Sequence, residues 1–550
     1  MVYRGPSRGC KICRTRRVRC DETRPGCKNC RSRNVTCPGF QTDFRPGEKI
    51  IDETQAVVQA LRKKPRSLFC RSLSERELFM SLCFFFNNYS FLNKGIQSTR
   101  SELAFLPRIY SRSTSDSTIS MSITALTLSF FSLWRGSTPE SAHSQEYATR
   151  AISSLRNDLD DPMRSRSDET LLAIIMLQFR ETIVGANKFQ PLPDDRHKRG
   201  AYAVIQHRGK QSIYSRLSKR LVQSLRSSLV FEALRTRQQV DTSLTMWHVN
   251  EDLAEDPNDL LSVAGVNIAD LQARFEEFFH GLRSRIISDP TELNIKDLET
   301  IDRLRKEAET LEQTLLEWKD KLVPSWHPIS LSPTEIPSSV REAGIYNNLC
   351  HVYPSVSISG IWHTYRVERI ILLRIILCCD QTQRNTPPSH PESPDPSASS
   401  SSTISGGDEA PLQHLIDDLC ASIPFHLGNR TDPGTISEFN TSTSSSASNL
   451  VFPWPQQDRD PWTAIALFSP CERKREALAL GGWLLLGPLG VTLQLLAGPV
   501  DLWLTDVPAG ATMLGSLVRQ GQMEWMVQQL QRLLVVQRML PKGVPIPMAV

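Results

Sequence analysis

The sequence predicts a small cysteine-rich module followed by a mostly all-α domain that a disordered insert divides. Three observations carry this reading. Residues 10–37 hold one eleven-residue phrase twice, an apolar period of helical type runs through most of the chain from about residue 67, and residues 385–448 are rich in Pro, Ser and Thr.

The phrase Cys10-Lys-Ile-Cys13-Arg-Thr-Arg-Arg-Val-Arg-Cys20 recurs seventeen positions later as Cys27-Lys-Asn-Cys30-Arg-Ser-Arg-Asn-Val-Thr-Cys37. The unit is C-x2-C-x6-C taken twice, with basic residues in the gaps. Thiolates are soft ligands that favour zinc in tetrahedral sites. Six cysteines fill two such sites only if two sulfurs bridge both metals, because separate sites need eight ligands. Bridging ligands in a pseudo-symmetric pair should be equivalent, and the first cysteines of the two halves, Cys10 and Cys27, fit that role. One zinc then takes Cys10, Cys13, Cys20 and Cys27, and the other takes Cys27, Cys30, Cys37 and Cys10. The alternatives are a disulfide knot or a single zinc with spare thiols. The knot requires an oxidising compartment, and the expectation is against one because Met1 to Arg8 contains no apolar signal region.

Charge points to the partner. The chain carries a net +5, yet residues 1–37 hold eleven Lys/Arg against two Asp/Glu, which leaves the remainder at −4. A phosphate backbone attracts such a segment, so affinity for nucleic acid is expected at the N-terminus alone. The halves are unequal. Arg14, Arg16, Arg17 and Arg19 crowd the first, whereas Asn34 and Thr36 stand where Arg17 and Arg19 would recur.

The full cysteine spacing, the basic run Arg14 to Arg19, Asp21 after the third cysteine and Pro25 before the fourth resemble the fungal binuclear zinc-cluster transcription factors. The resemblance implies two zinc ions per chain, two short helices each followed by an extended strand, a nuclear location and double-stranded DNA as partner. It also implies a helix in the major groove reading a CGG-type triplet, for which Arg or Lys on guanine O6 and N7 is the chemistry. The family's main base-contacting position is most often Lys and corresponds here to Arg17, with Arg16 beside it. Arg14, Arg19, Lys11 and Lys28 are assigned to phosphates, which position the module without specifying sequence.

Beyond the module, Pro38, Gly39, Pro46 and Gly47 punctuate a linker. Ile51, Thr54, Val58 and Leu61 have coiled-coil spacing over two heptads, short of the three or four a coiled coil requires, so homodimerisation there stays open. Met121 to Trp134 is apolar nearly all round, as in a buried helix. Ser167-Asp168-Glu169 supplies a cap and an acidic first turn for the run Leu171 to Phe179. Residues 298–322 carry a heptad through Ile301, Leu304, Ala308, Leu311, Leu315, Trp318 and Leu322. Glu307 and Glu312 would repel across a parallel seam, so the expected role is a helix packed inside its own domain. Ile361 to Cys379 predicts another long helix, and Leu412 to Ile423 a short one inside the insert. Ala477 to Val500 has no charge, but its glycines and prolines predict a broken core segment rather than a membrane span. Met523 to Leu534 closes the chain's helical pattern with an amphipathic face.

Domains are expected at 1–40 for the cluster, 41–66 for the linker with a short dimerisation helix, 67–384 for the helical domain, 385–448 for the insert, and 449–550 for helices completing the helical domain. The strings Arg166-Ser-Asp-Glu-Thr-Leu-Leu, Trp362-His-Thr-Tyr-Arg366 and Gly481-Gly-Trp-Leu-Leu-Leu resemble the helical regulatory domain that follows the cluster in one branch of the family. That implies transcription machinery as a further partner and no membrane. The seven remaining cysteines are scattered, mostly in apolar runs, and read as reduced core residues.

An enzyme is the competing class, and little supports it. Gly5-Pro6-Ser7-Arg8-Gly9 spells a nucleophile elbow, but the strand that elbow needs has no room before Ser7. H-E-x-x-H, G-x-x-x-x-G-K-[ST] and G-x-G-x-x-G do not occur. His363, in an apolar helix, reads as a satisfied core residue. The expectation is a non-enzymatic DNA-binding regulator of transcription, with a DNA-bound repressor or scaffold as the alternative.

Overall fold

The computed structural model describes residues 9–16, 18–23, 25–38, 73–90, 102–187, 196–209, 215–240, 256–288, 294–384, 409–439, 450–455, 462, 470–497 and 517–544. The chain divides into two compact units, Met1–Ser72 and Leu73–Val550. The segment at 51–61 expected to dimerise lies outside the described residues, as do 385–408 and 440–449 of the expected insert.

In the first unit the described residues form two short helices, α1 (Lys11–Thr15) and α2 (Lys28–Arg31), one in each copy of the phrase. The repeat in sequence is a repeat in backbone. Cys13 N–H donates to Cys10 Sγ at 3.5 Å and Cys30 N–H to Cys27 Sγ at 3.4 Å, so the first cysteine of each half caps its own helix. Val18 N–H then donates to Cys13 O and Val35 N–H to Cys30 O, each at 3.1 Å, and the chain leaves both helices in the same way.

The second unit is mostly helical. It opens with α3 (Leu73–Phe85), α4 (Leu106–Arg112), α5 (Thr118–Trp134), α6 (Ala142–Asp160), α7 (Asp168–Asn187), α8 (Arg196–Arg208) and α9 (Arg216–Thr236). It continues with α10 (Pro257–Ser288), α11 (Ile295–Asp320), α12 (Ser338–Gly344), α13 (Val356–Arg384), α14 (Glu409–Leu427), α15 (Pro470–Glu476), α16 (Gly482–Ala497) and α17 (Gln522–Val536). Among the described residues extended structure is slight: β1 (Ile329–Ser330) pairs antiparallel with β2 (His351–Val352), Ile329 opposite Val352.

Every residue of α5 is buried, because α3, α6 and α7 enclose it. Its serines and threonines are tolerated there because they find partners. Ser129 Oγ lies 2.7 Å from Ser144 Oγ, which itself donates to Ala125 O at 3.0 Å and accepts from Arg180 Nε at 2.9 Å. Ser167 Oγ accepts the Thr170 N–H at 3.1 Å, giving α7 the cap its sequence promised.

The heptad helix α11 starts at a capping box, with Asp297 N–H on Asn294 Oδ1 at 2.9 Å and Asn294 N–H on Asp297 Oδ2 at 3.3 Å. It packs against α10 and α13 of its own unit. Ile301, Leu304, Ala308, Leu315 and Trp318 are buried, Glu307 pairs with Arg274, and Glu312 pairs with Arg369. Arginines on α10 and α13 therefore answer the two glutamates, and the helix lies inside its own unit.

Helices on both sides of the expected insert 385–448 share one core. The expectation that most of that insert is disordered fails over α14, where Leu412, Leu419 and Phe425 are buried in the same core because the helix presents an apolar face to it. α13 packs on α14 and α16, and α16 packs on α17. The uncharged C-terminal segment is less broken than its glycines and prolines predict. A π-helical turn, Ala477–Gly481, joins α15 to α16, and α16 runs through Pro488. Cys471–Ala497 is long and apolar enough to cross a membrane by length and composition, yet Leu485, Leu489, Val491, Leu493, Leu495 and Leu496 are buried in the protein. Gly481 is required by a close approach: a Cβ there would lie 2.6 Å from the His426 carbonyl oxygen. The cysteines outside the cluster divide. Cys350, Cys378, Cys379 and Cys420 are buried as expected of core residues, Cys83 and Cys471 are exposed, and Cys70 lies outside the described residues.

Candidate metal centre and nucleic-acid interface

The two helices of the first unit bring the six cysteines together. Cys10, Cys13, Cys27 and Cys30 are almost wholly buried, with Cys20 and Cys37 partly so. The sulfurs fall into two groups of four, Cys10/Cys13/Cys20/Cys27 and Cys10/Cys27/Cys30/Cys37, with all ligand atoms in each group within 4.8 Å of one another. Cys10 and Cys27 are common to both groups.

The spacing tests what the sulfurs suit. Separations are 3.7 Å for Cys10–Cys30 and Cys13–Cys27, 3.8 Å for Cys10–Cys27 and 3.9 Å for Cys27–Cys37. A disulfide needs about 2.05 Å. The edge of a tetrahedron whose metal–sulfur arms are about 2.3 Å is about 3.8 Å, and the sulfurs match it. Burial pushes the Cys13 thiol up to about 12, and those of Cys27 and Cys30 also rise. Binding a metal as thiolate therefore expels protons, so metal uptake and pH are linked.

Around the sulfurs the surface is basic. Lys11, Arg19 and Lys28 are exposed and Arg16 is half-buried, while Arg17 and the side chain of Arg14 lie outside the described residues. Arg31 and Arg33, on the second half, are exposed as well.

One device was not read from the sequence. The Asp21 carboxylate accepts the Lys28 N–H at 3.0 Å and the Asn29 N–H at 3.4 Å, and it also takes the Thr23 hydroxyl. Asn29 Nδ2 in turn donates to Arg19 O at 2.6 Å. The extended segment of the first half, with the backbone of Arg19, is thereby clasped to the helix of the second. These donors hold the Asp21 carboxyl well below the usual range, the Thr23 hydroxyl contributing most. Position 29 is where the repeat breaks from Ile12 to Asn, and that break was the available signal.

Ser7 of the elbow-like string lies outside the described residues. His363 is fully buried, its Nε2 3.0 Å from His426 Nε2, while its Nδ1 is without a partner, so it is a core residue only half satisfied.

Residues 8–45 match the family described as the fungal Zn(2)-Cys(6) binuclear cluster domain. No curated protein and no solved structure matches the chain. The match spans both phrases and both groups of sulfurs, and such domains bind two zinc ions and DNA. With its doubled cysteine phrase folded around two overlapping four-sulfur sites, the segment 8–45 is a domain of the fungal binuclear zinc-cluster type, and that domain supports a DNA-binding regulator of transcription.

Proposed function

We propose that the chain is a nuclear, sequence-specific regulator of RNA polymerase II genes that reads a CGG-type triplet through the first half of its cluster. Cys10 and Cys27 bridge the two zinc ions, Cys13 and Cys20 complete one site, and Cys30 and Cys37 complete the other. The observation that supports this assignment is the pair of four-sulfur groups sharing Cys10 and Cys27. Arg17 and Arg16 read guanine edges, and Arg14, Arg19, Lys11 and Lys28 hold phosphates. The helical unit is the regulatory part, acting on the transcription machinery for a metabolic or biosynthetic gene set, and homodimerisation through residues 41–66 sets half-site spacing.

Selection of bound sequences from random double-stranded DNA tests the reading. CGG-type triplets should emerge, and enrichment of sequences without a paired guanine step would contradict it. Fusing residues 73–550 to an unrelated DNA-binding domain tests the regulatory role. Altered reporter output supports it, and unaltered output favours a DNA-bound scaffold.

A further inference from the structure

Between α13, α14 and β2 the interior is polar where an apolar one would be expected. Arg366 is 1% exposed, and Tyr353, His363 and His426 beside it are fully buried. The guanidinium carbon lies 5.7 Å from the ring centroids of both Tyr353 and Trp362. None of the three guanidinium nitrogens has a hydrogen-bond partner, and the Tyr353 hydroxyl, His351 Nδ1 and His363 Nδ1 also lack one. Six orphaned polar atoms in one neighbourhood depart from the rule that buried polar groups are satisfied. The opposing charge closest at hand is loose: Asp418 Oδ2 stands 3.9 Å from Arg366 Nε on a side chain 46% exposed, and Asp418 Oδ1 stands 3.7 Å from His351 Nδ1.

A guanidinium is a planar fork of five N–H donors that a carboxylate can meet with two parallel hydrogen bonds. A buried charge left without such bonds is costly, so the fork demands an acceptor. The charge balance limits which one. Burial keeps His363 and His426 neutral near pH 7, so Arg366 is the one cation facing Asp418, and once Asp418 swings away a monoanion balances the guanidinium whereas a dianion does not. The Tyr353 hydroxyl adds a further neutral donor at the same place.

We propose that Arg366, with Tyr353, forms a binding site for a small carboxylate anion, which enters on the side of Asp418 and displaces that side chain from the guanidinium. Its biological meaning rests on the regulatory reading of the helical unit, but the binding itself does not. Ser359 Oγ lies 2.8 Å from His426 Nε2, and His426 Nδ1 donates to Gly481 O at 2.9 Å. The site is thus wired to the π-helical turn between α15 and α16.

The test is thermal unfolding of the zinc-loaded full chain, with sodium acetate exchanged for sodium chloride at constant ionic strength. Asp418→Asn removes the internal competitor at a half-exposed position. Acetate should then raise its Tm saturably, by roughly 1–2 °C for a unit of this size, with a smaller response in the wild type. Arg366→Met should give no response to acetate. Inorganic phosphate should act more weakly than acetate, and a stronger effect of phosphate would overturn the carboxylate assignment. The proposal fails if Asp418→Asn shows no saturable response, or if Arg366→Met responds equally. If Arg366→Met does not fold, the Asp418→Asn titration decides alone. Reporter output of the 73–550 fusion is a separate readout, so failure of the regulatory reading and failure of the anion site are distinguishable.

Discussion

The two units of this chain are held together by opposite means. The described part of the first has an interior of four buried cysteines with Ile12, Cys20 and Cys37 packed around them. The second buries whole helices, among them all of α5, and encloses arginines such as Arg366, Arg374 and Arg430 besides. A module this small cannot offset its chain entropy with so little apolar burial, so its fold depends on metal. The body depends on area removed from water. The difference teaches where each should be vulnerable: the first to loss of ligands, the second to cavities and to titration of buried groups.

The largest expected effect is on the first unit. Replacing the shared Cys10 by Ser should disturb both metals and forfeit most of the roughly 10–16 kcal/mol that structural zinc contributes at neutral pH. Replacing Cys37, which belongs to one group, should disturb mainly one metal. Zinc counted per chain by atomic emission separates the two. Equal losses would remove the distinction between bridging and terminal sulfurs.

A cavity should act only on the body. Leu126 is fully buried in α5, so Leu126→Ala is expected to cost about 2–5 kcal/mol in the unfolding of the second unit. Zinc content and DNA affinity should stay unchanged. A fall in zinc content would show that the units are not energetically separate.

How much of this could be read beforehand depended on the range of the interaction. The cluster was legible because its constraint is written locally, in cysteine spacing and in a repeat that the backbone copies down to Val18 and Val35. Helices were legible where periodicity and a cap agree, as at Ser167. What escaped were pairings between distant positions. His363 meets His426 across 63 residues, and Arg369 meets Glu312 across 57, with no local pattern announcing either. The two glutamates of the heptad showed only that a parallel coil would be repelled, not which arginines would answer them. The asymmetric clasp of Asp21 and Asn29 lay in a departure from the repeat, where similarity between the halves hides it.

Titration sharpens the comparison further. Glu476 is fully buried, accepts the Val356 N–H at 3.2 Å, and burial raises its carboxyl to about 7. An acid raised in the folded state is favoured as the neutral form. Its contribution is therefore fully present below the unfolded value of about 4.5 and is lost as pH rises through about 7. Glu476→Gln should flatten the decline of the body's stability over that window, by about 2–3 kcal/mol. The histidines oppose it. His426 is lowered by burial to about 4, so its contribution is lost as pH falls from about 6.5 toward 4. Urea unfolding across pH 4–8 measures both, and a Glu476→Gln profile identical to the wild type would contradict the assignment.

A smaller effect concerns the two kinds of arginine in the first half. Arg17→Ala should cost about 1–3 kcal/mol on the preferred sequence and relax preference at guanine. Arg19→Ala should weaken all sequences alike and reduce the salt slope by about one phosphate. Competition binding at several salt concentrations distinguishes them. Unaltered sequence preference after Arg17→Ala would move the reading role elsewhere.

The claim that one unit is built by metal and the other by its core is tested most directly by chelation of the full chain. Zinc should be released at two ions per chain, and DNA binding should vanish with it. The thermal transition of the helical unit should stay within about 0.5 kcal/mol of its starting value, the range expected for a change away from its packed sites. One ion per chain, or a helical transition that collapses together with DNA binding, would contradict the account.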